Sequence, residues 1–209
     1  YNIGFGLRKE FERFLFGVNW FYDYQDWHKH SRHGVGFEAS TDRGLEARLN
    51  TYIGISGRRL VWDDQVNEFY EKVANGFDWE FGGPLPYLPF LKVYGGGNWY
   101  SFERFINKYG WKARFEYNPI KNSRIDFEVY DDNKMRDRLA YRFEGAITLA
   151  FTSFAPRDII KDIRTSAEAF PKIKLKEKIL ERVVRDFDIT VIKSTKSKST
   201  GLVIEGGKS

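Results

Sequence analysis

The chain's three histidines, His28, His30 and His33, lie close together. Clustered imidazoles are the side chains most used to ligate transition metals. No fixed carboxylate partner can be named for them from the sequence, so they read as imidazoles on an exposed loop rather than as a metal centre. Asp63-Asp64 and Asp131-Asp132 carry the oxygen ligands that calcium prefers. Each pair falls in a predicted loop and reads as a solvated tip. Gly4-Phe5-Gly6 and Gly95-Gly96-Gly97 lack the strand–turn–helix context and the phosphate lysine of a nucleotide loop. They are expected to relieve crowding where a linker approaches a wall, or to permit curvature. Glu80, Glu116 and Glu144 alternate with apolar residues along extended segments, as do Arg48, Arg114 and Arg142. With neither a nucleophile nor a histidine in reach, these charges read as ion pairs rather than acid–base dyads. No catalytic, cofactor-binding or metal-ligating residue is assigned, and the chain is not read as an enzyme.

The elements that carry these residues are strands. In residues 45–55, apolar or neutral side chains occupy Leu45, Ala47, Leu49, Thr51, Ile53 and Ile55, with Glu46, Arg48, Asn50, Tyr52 and Gly54 between them. Successive side chains of a strand point to opposite faces, so one face is greasy and the other charged or small. The segment exceeds the usual five or six residues of a soluble strand, and a strand tilted across a bilayer needs about 9–11. The same period of two recurs at 3–10, 14–24, 34–40, 77–82, 91–99, 111–117, 125–129 and 139–151. A stiff connection at 84–89, Pro-Leu-Pro-Tyr-Leu-Pro, interrupts the series because proline cannot donate to a ladder.

Composition narrows the class. Cysteine is absent, so no disulfide or thiolate site exists. A mean hydropathy of -0.54 and the lack of a long apolar run exclude a transmembrane helix but not a barrel, whose two faces cancel in any average. The net charge of +5 and pI near 9.2 raise the question of nucleic acid. The basic excess, however, sits mainly at 172–178 and 193–198, and the preceding charges are of both signs, so no nucleic-acid partner is expected. The first residues read as a strand rather than a leader; an exported protein would here be a fragment or a mature form.

Short connections are expected after the first, third, fifth and seventh strands, and longer polar ones after the second, fourth, sixth and eighth. Outer-membrane barrels alternate in this way. A soluble sandwich or lipocalin-like barrel does too, but it buries its apolar face. Charges on the opposite face suit a wet lumen, and Tyr22, Tyr24, Trp62, Trp99 and Tyr100 suit interfacial girdles. The fold class is therefore an all-β transmembrane, antiparallel up-and-down outer-membrane barrel with about nine strands visible. Odd-numbered residues of the second and seventh strands, such as Trp111 and Phe115, are expected to face lipid. Phe115→Arg should impair assembly, and Arg114→Gln should be mild. After Phe151 the pattern turns helical, with Ile159, Ile160, Ile163, Leu175, Ile179, Leu180 and Val183 in two short helices divided at Pro171. An extended segment at 184–192 and a flexible Ser/Thr/Lys linker to Thr200 follow, and 201–209 have no readable role. The domains are thus 1–152, the barrel, and 153–209, a periplasmic or luminal helix and linker.

The runs Val18-Asn19-Trp20-Phe21-Tyr22-Asp23-Tyr24, His30-Ser31-Arg32 and Gly34-Val35-Gly36-Phe37-Glu38 resemble the membrane domain of intimin and invasin. So do Ala74-Asn75-Gly76-Phe77-Asp78, the proline run from Gly83, and Leu180-Glu181-Arg182-Val183-Val184-Arg185. The resemblance implies an inverse autotransporter of the bacterial outer membrane: a twelve-stranded barrel whose chain forms a helix at the periplasmic mouth and then passes up the pore to a surface passenger. The implied partners are outer-membrane lipid, the barrel-assembly machinery, the chain's own C-terminal passenger through the lumen, and a host or cell-surface receptor through that passenger. Lys172, Lys174, Lys176 and Lys178 would meet lumen carboxylates such as Glu80 and Glu116. Strand parity places Tyr1 on the outer side and expects three strands before it. An outer-membrane pore, or an enzyme active at the rim, is the alternative; a pore has no need of the tail after Phe151.

Overall fold

The computed structural model describes residues 1–102, 106–118, 123–134, 139–147, 165–201 and 203–206. In chain order the strands are β1 (Asn2–Phe11), β2 (Phe14–Gln25), β3 (His30–Thr41), β4 (Glu46–Gly54), β5 (Arg59–Asp63), β6 (Asn67–Val73), β7 (Asn75–Leu85), β8 (Leu88–Ser101), β9 (Lys108–Tyr117), β10 (Ser123–Asp132) and β11 (Ala140–Ile147). A 3₁₀ helix at Leu175–Leu180 and strands β12 (Val191–Ser197) and β13 (Val203–Gly206) complete the chain. Two sheets form: a nine-stranded sheet in the order β1-β2-β3-β4-β7-β8-β9-β10-β11, and a four-stranded sheet in the order β13-β12-β6-β5. Every pairing is antiparallel, and the large sheet follows the chain up and down with only the β5–β6 hairpin excursion.

The large sheet is apolar on its convex side. Leu7 is 76% exposed, Phe16 51% and Phe115 49%. Outward rings pair across strands, Phe5 with Trp20 at 5.5 Å and Phe77 with Trp99 at 5.8 Å. Meanwhile Asn19, Asp23, Arg32, Glu46, Asp78, Glu80 and Arg114 are buried on the concave side. A contiguous apolar exterior around a polar interior is stable only where lipid replaces water outside. No described helix is long and apolar enough to cross a membrane, which says nothing of a β-barrel.

One end of the sheet, the turn end, carries tight connections at 12–13, 42–45 and 86–87. Gly44 takes φ of 84° there, a conformation glycine adopts without the Cβ penalty. At the opposite, loop end, residues 55–74 hold the β5–β6 hairpin, and Tyr52, Ala74, Tyr100, Phe102 and Ile192 form a small apolar cluster where wall and tail meet.

Several expectations change. In β9 the odd residues Trp111 and Phe115 do point outward, but in β2 the even residues Phe14, Phe16 and Val18 do so, and Leu15 and Asn19 are buried inside. The apolar positions set the face, and parity carries no meaning from one strand to another across turns of different length. The β2–β3 connection shrinks to 26–29 because both strands run further than predicted, so short and long connections do not alternate without exception. Tyr100 is buried on the concave side, stacked 6.1 Å from Tyr52, and Trp62 lies on β5 against Phe69; neither joins a girdle on the large sheet. The supposed flexible linker is strand β12, and 203–206 form β13. Leu175–Leu180 is a 3₁₀ helix, whereas the predicted helix through Ile159, Ile160 and Ile163 lies outside the described residues, as does the end of the ninth strand at Leu149 and Phe151.

Candidate functional site

Alternation turns every second side chain to the concave face, and neighbouring strands bring the charged ones among them into pairs. Arg114 on β9 sits at the centre. It donates to Glu80 Oε1 at 2.6 Å, to Glu116 at 2.9 Å and to Asp126 at 2.9 Å, with its guanidinium 4.1 Å from the Tyr94 ring centroid. Arg48 donates to Glu80 at 2.6 Å and pairs with Glu46, and Lys92 donates to Glu116 at 2.7 Å. Each carboxylate has a second cationic partner, Arg48 for Glu80, Lys92 for Glu116 and Arg124 for Asp126, so Arg114→Gln would leave none of the three stranded. No side chain in this cluster is poised as a free base. The wall leaves room where glycine replaces a side chain: a Cβ on Gly36 would lie 2.5 Å from both Asn19 Oδ1 and Asn50 Oδ1. The atoms nearest a Cβ at Gly4, Gly6, Gly96 and Gly97 belong to neighbouring strands. Gly95 faces open space, and a Cβ on Gly96 would meet the Trp79 carbonyl at 2.3 Å.

The tail runs along this wall from the turn end to the loop end. At the turn end, Tyr87 N donates to Ala169 O at 2.9 Å, Ile173 N to Asp42 O at 2.8 Å and Arg43 to Phe170 O at 2.6 Å. Lys178, in the 3₁₀ helix, is buried against Glu46. Lys172, Lys174 and Lys176 are exposed, and Glu80 and Glu116 take partners from the wall itself, so the expected lysine contacts reduce to this one pair. Arg8 donates to the carbonyls of Lys178 and Ile179, both at 2.9 Å, and pairs with Glu38.

Residues 181–190 then cross the interior without regular structure, and the wall supplies the partners that their backbone lacks. Asn50 donates to Val184 O at 3.3 Å, and Asp186 N donates to the Tyr52 hydroxyl at 3.0 Å. Arg32 donates to the carbonyls of Asp186 at 2.6 Å and Asp188 at 2.9 Å. Arg185 donates to both oxygens of Asp23, at 2.7 and 2.5 Å, over the Phe21 ring at 4.0 Å, while Arg32 donates to the same carboxylate at 2.9 Å. Arg142 reaches Asp188 at 3.0 Å. Beside this segment lies a cavity of about 840 Å³, lined by Lys112, Arg124, Asp126, Glu128 and Tyr130 among others.

At the loop end, Ala74 N donates to Thr190 O at 2.9 Å, and β12 then pairs with β6 from Val191↔Val73 to Ser197↔Asn67. Arg58 donates to Ser194 Oγ at 2.8 Å, and Lys198 pairs with Asp63 at 2.5 Å. Asp64 caps the β5–β6 turn, accepting from Val66 N at 2.7 Å, and Asp132 pairs with Lys108 at 3.3 Å inside β10 rather than on a loop. The histidines separate. His33 faces outward between Trp20 and Tyr22, whereas His28 and the buried His30 both meet Glu71 of β6. A carboxylate partner thus exists that sequence spacing did not suggest. Burial opposes ionisation of Glu71, but the hydrogen bonds from His30 and His28 outweigh it and hold the carboxyl below its usual range.

An antiparallel sheet with a lipid-compatible exterior and a charged interior face defines the class, an outer-membrane β-barrel protein. Residues 1–150 match the family described as the inverse autotransporter beta-domain, and the chain belongs to that family. Its place is the bacterial outer membrane. A putative attaching and effacing protein homolog of Escherichia coli (strain K12) is 38% identical over 91 residues, covering 43% of this chain and 30% of that protein, so the matched segment is under a third of its length. A solved structure from work on the in-meso crystallization of membrane proteins shares the fold, with a TM-score of 0.72 at 21% identity over 91% of this chain and 78% of that one.

Proposed function

We propose that the chain anchors a C-terminal adhesin passenger in the outer membrane and exports it through its own lumen. Residues 1–152 act as the barrel, and residues 153–209 as the segment that plugs and leaves it. The observation that carries this reading is the path of residues 181–197. It enters at the turn end, is held by backbone bonds from Arg32, Asn50 and Tyr52, and emerges paired with β6. A pore would leave its interior free, whereas here the wall's donors are spent on the threaded backbone. In this reading the turn end is periplasmic, where the barrel-assembly machinery acts, and the loop end faces outward, where only the passenger meets a receptor.

Single cysteines test the path cleanly, since the chain has none of its own. Placed along 184–190, they should be shielded from a bulky impermeant thiol reagent on intact cells. From about Ser197 onward they should react. Uniform external reactivity from residue 165 would overturn the reading.

A further inference from the structure

We propose that His28, His30 and Glu71 bind a zinc-type divalent transition-metal ion at the loop-end rim, pinning the β5–β6 hairpin to the β2–β3 turn. His28 Nδ1 lies 2.8 Å and His30 Nε2 3.0 Å from the same oxygen, Glu71 Oε2, and the three candidate ligand atoms fall within 4.8 Å of one another. Tetrahedral zinc, with bonds of about 2.0–2.1 Å, sets its ligand atoms about 3.3 Å apart. An ion therefore fits if the three side chains part by less than the length of a bond. Two neutral imidazoles and one carboxylate are the donor set of zinc and its neighbours rather than of calcium or magnesium, which want oxygen throughout.

The surroundings suit an ion as well. His30 and Glu71 have side-chain exposures of 1% and 10%, while His28 at 28% borders solvent, from which water can complete the coordination. Ser56 Oγ sits 3.5 Å from His30 Nδ1. A proton on Nδ1 directed at that hydroxyl leaves the Nε2 lone pair facing the ion, the outer-shell support typical of ligating histidines. His28 takes φ of 65° in the 26–29 turn, which brings its ring back toward β6 rather than out to solvent. Lys193 approaches Glu71 through the other carboxylate oxygen, at 3.9 Å, and leaves Oε2 to the imidazoles. The ion would thus join the β2–β3 turn and β6, which are distant in sequence, at the point where β12 leaves the lumen. It is independent of whether a passenger is exported.

The test uses the natural full-length chain without a polyhistidine tag, extracted in detergent, stripped with chelator and titrated with zinc chloride by calorimetry. Cobalt(II) serves as a spectroscopic probe. One equivalent of zinc per chain should bind with micromolar or tighter affinity, and cobalt should show the visible bands of a tetrahedral nitrogen–oxygen site. His30→Ala and Glu71→Gln should each weaken binding by about tenfold or more, at least the loss seen for outer-shell partners. His33→Ala, whose ring faces outward, should bind as the parent does. Zinc should also slow proteolysis in the 57–66 segment. A heat-modifiability gel checks that each variant folds. Failure of the parent chain to take up zinc would overturn the proposal, as would equal binding by a folded His30→Ala, Glu71→Gln double variant.

Discussion

At the scale of single residues, the two faces of the wall make opposite demands. Phe115→Arg puts a charge on the lipid face, at a cost of about 2–4 kcal/mol near the bilayer midplane. Arg114→Gln should cost less, because Arg48, Lys92 and Arg124 still pair its three carboxylates. The folding yield read from the heat-modifiable band should fall clearly for Phe115→Arg, fall little for Arg114→Gln and stay unchanged for Phe127→Leu on the outer face. Asp23 offers a second contrast. It holds Arg32 of the wall and Arg185 of the tail. Asp23→Ala strands two buried guanidiniums, whereas Arg185→Ala leaves Asp23 paired with Arg32. Thermal melts should therefore order the loss as Asp23→Ala greater than Arg185→Ala, with trypsin release of the tail following the same order. Alternation in β9 placed Arg114 inward as expected, whereas the odd-residue expectation for β2 put Asp23 on the wrong face. Which charge pairs with which depends on strand register, and that is why Glu46 rather than Glu80 receives Lys178.

Elements were legible where the period of two ran long. The nine strands of the large sheet appear in the sequence for this reason, and the proline run at 84–89 proves to be a tight turn that lets Leu85 still pair with Leu88. Strands β5, β6, β12 and β13 escaped notice because they are short, polar and alternate without a strongly apolar face. Their stability comes from each other. Ile192 of β12 is 6% exposed and joins Tyr52, Ala74, Tyr100 and Phe102. Ile192→Ala should cost about 2–5 kcal/mol of that local packing. Hydrogen exchange of β12 and β6 amides should accelerate together, while β2 and β3 amides stay protected. Loss of protection throughout the large sheet would contradict a locally stabilised clasp.

For the molecule as a whole, lipid replaces a buried apolar core and the tail replaces part of the water inside. Among the described residues the tail lies against the inner wall, with a cavity of about 840 Å³ beside it. Planar-bilayer recordings of the full-length protein should show small or no steady conductance. Deletion of residues 165–190 should open a larger one. Equal conductance in both would mean that the tail does not block the path.

The four-stranded sheet also fixes how a pull from outside is borne. Strand β13 doubles back along β12, with Val203 opposite Lys196 and Gly206 opposite Lys193. Tension applied beyond residue 206 and directed outward would peel β13 open one bond at a time. The load would then reach Ser197, at the far end of β12, while β6 is held at Val73, its near end, where the chain turns into the wall. In that geometry the two strands must slide rather than unzip, so the bonds between them share the force and rupture together. The rim thus combines a compliant outer fold with a stiff inner one, a shock absorber in series with a latch.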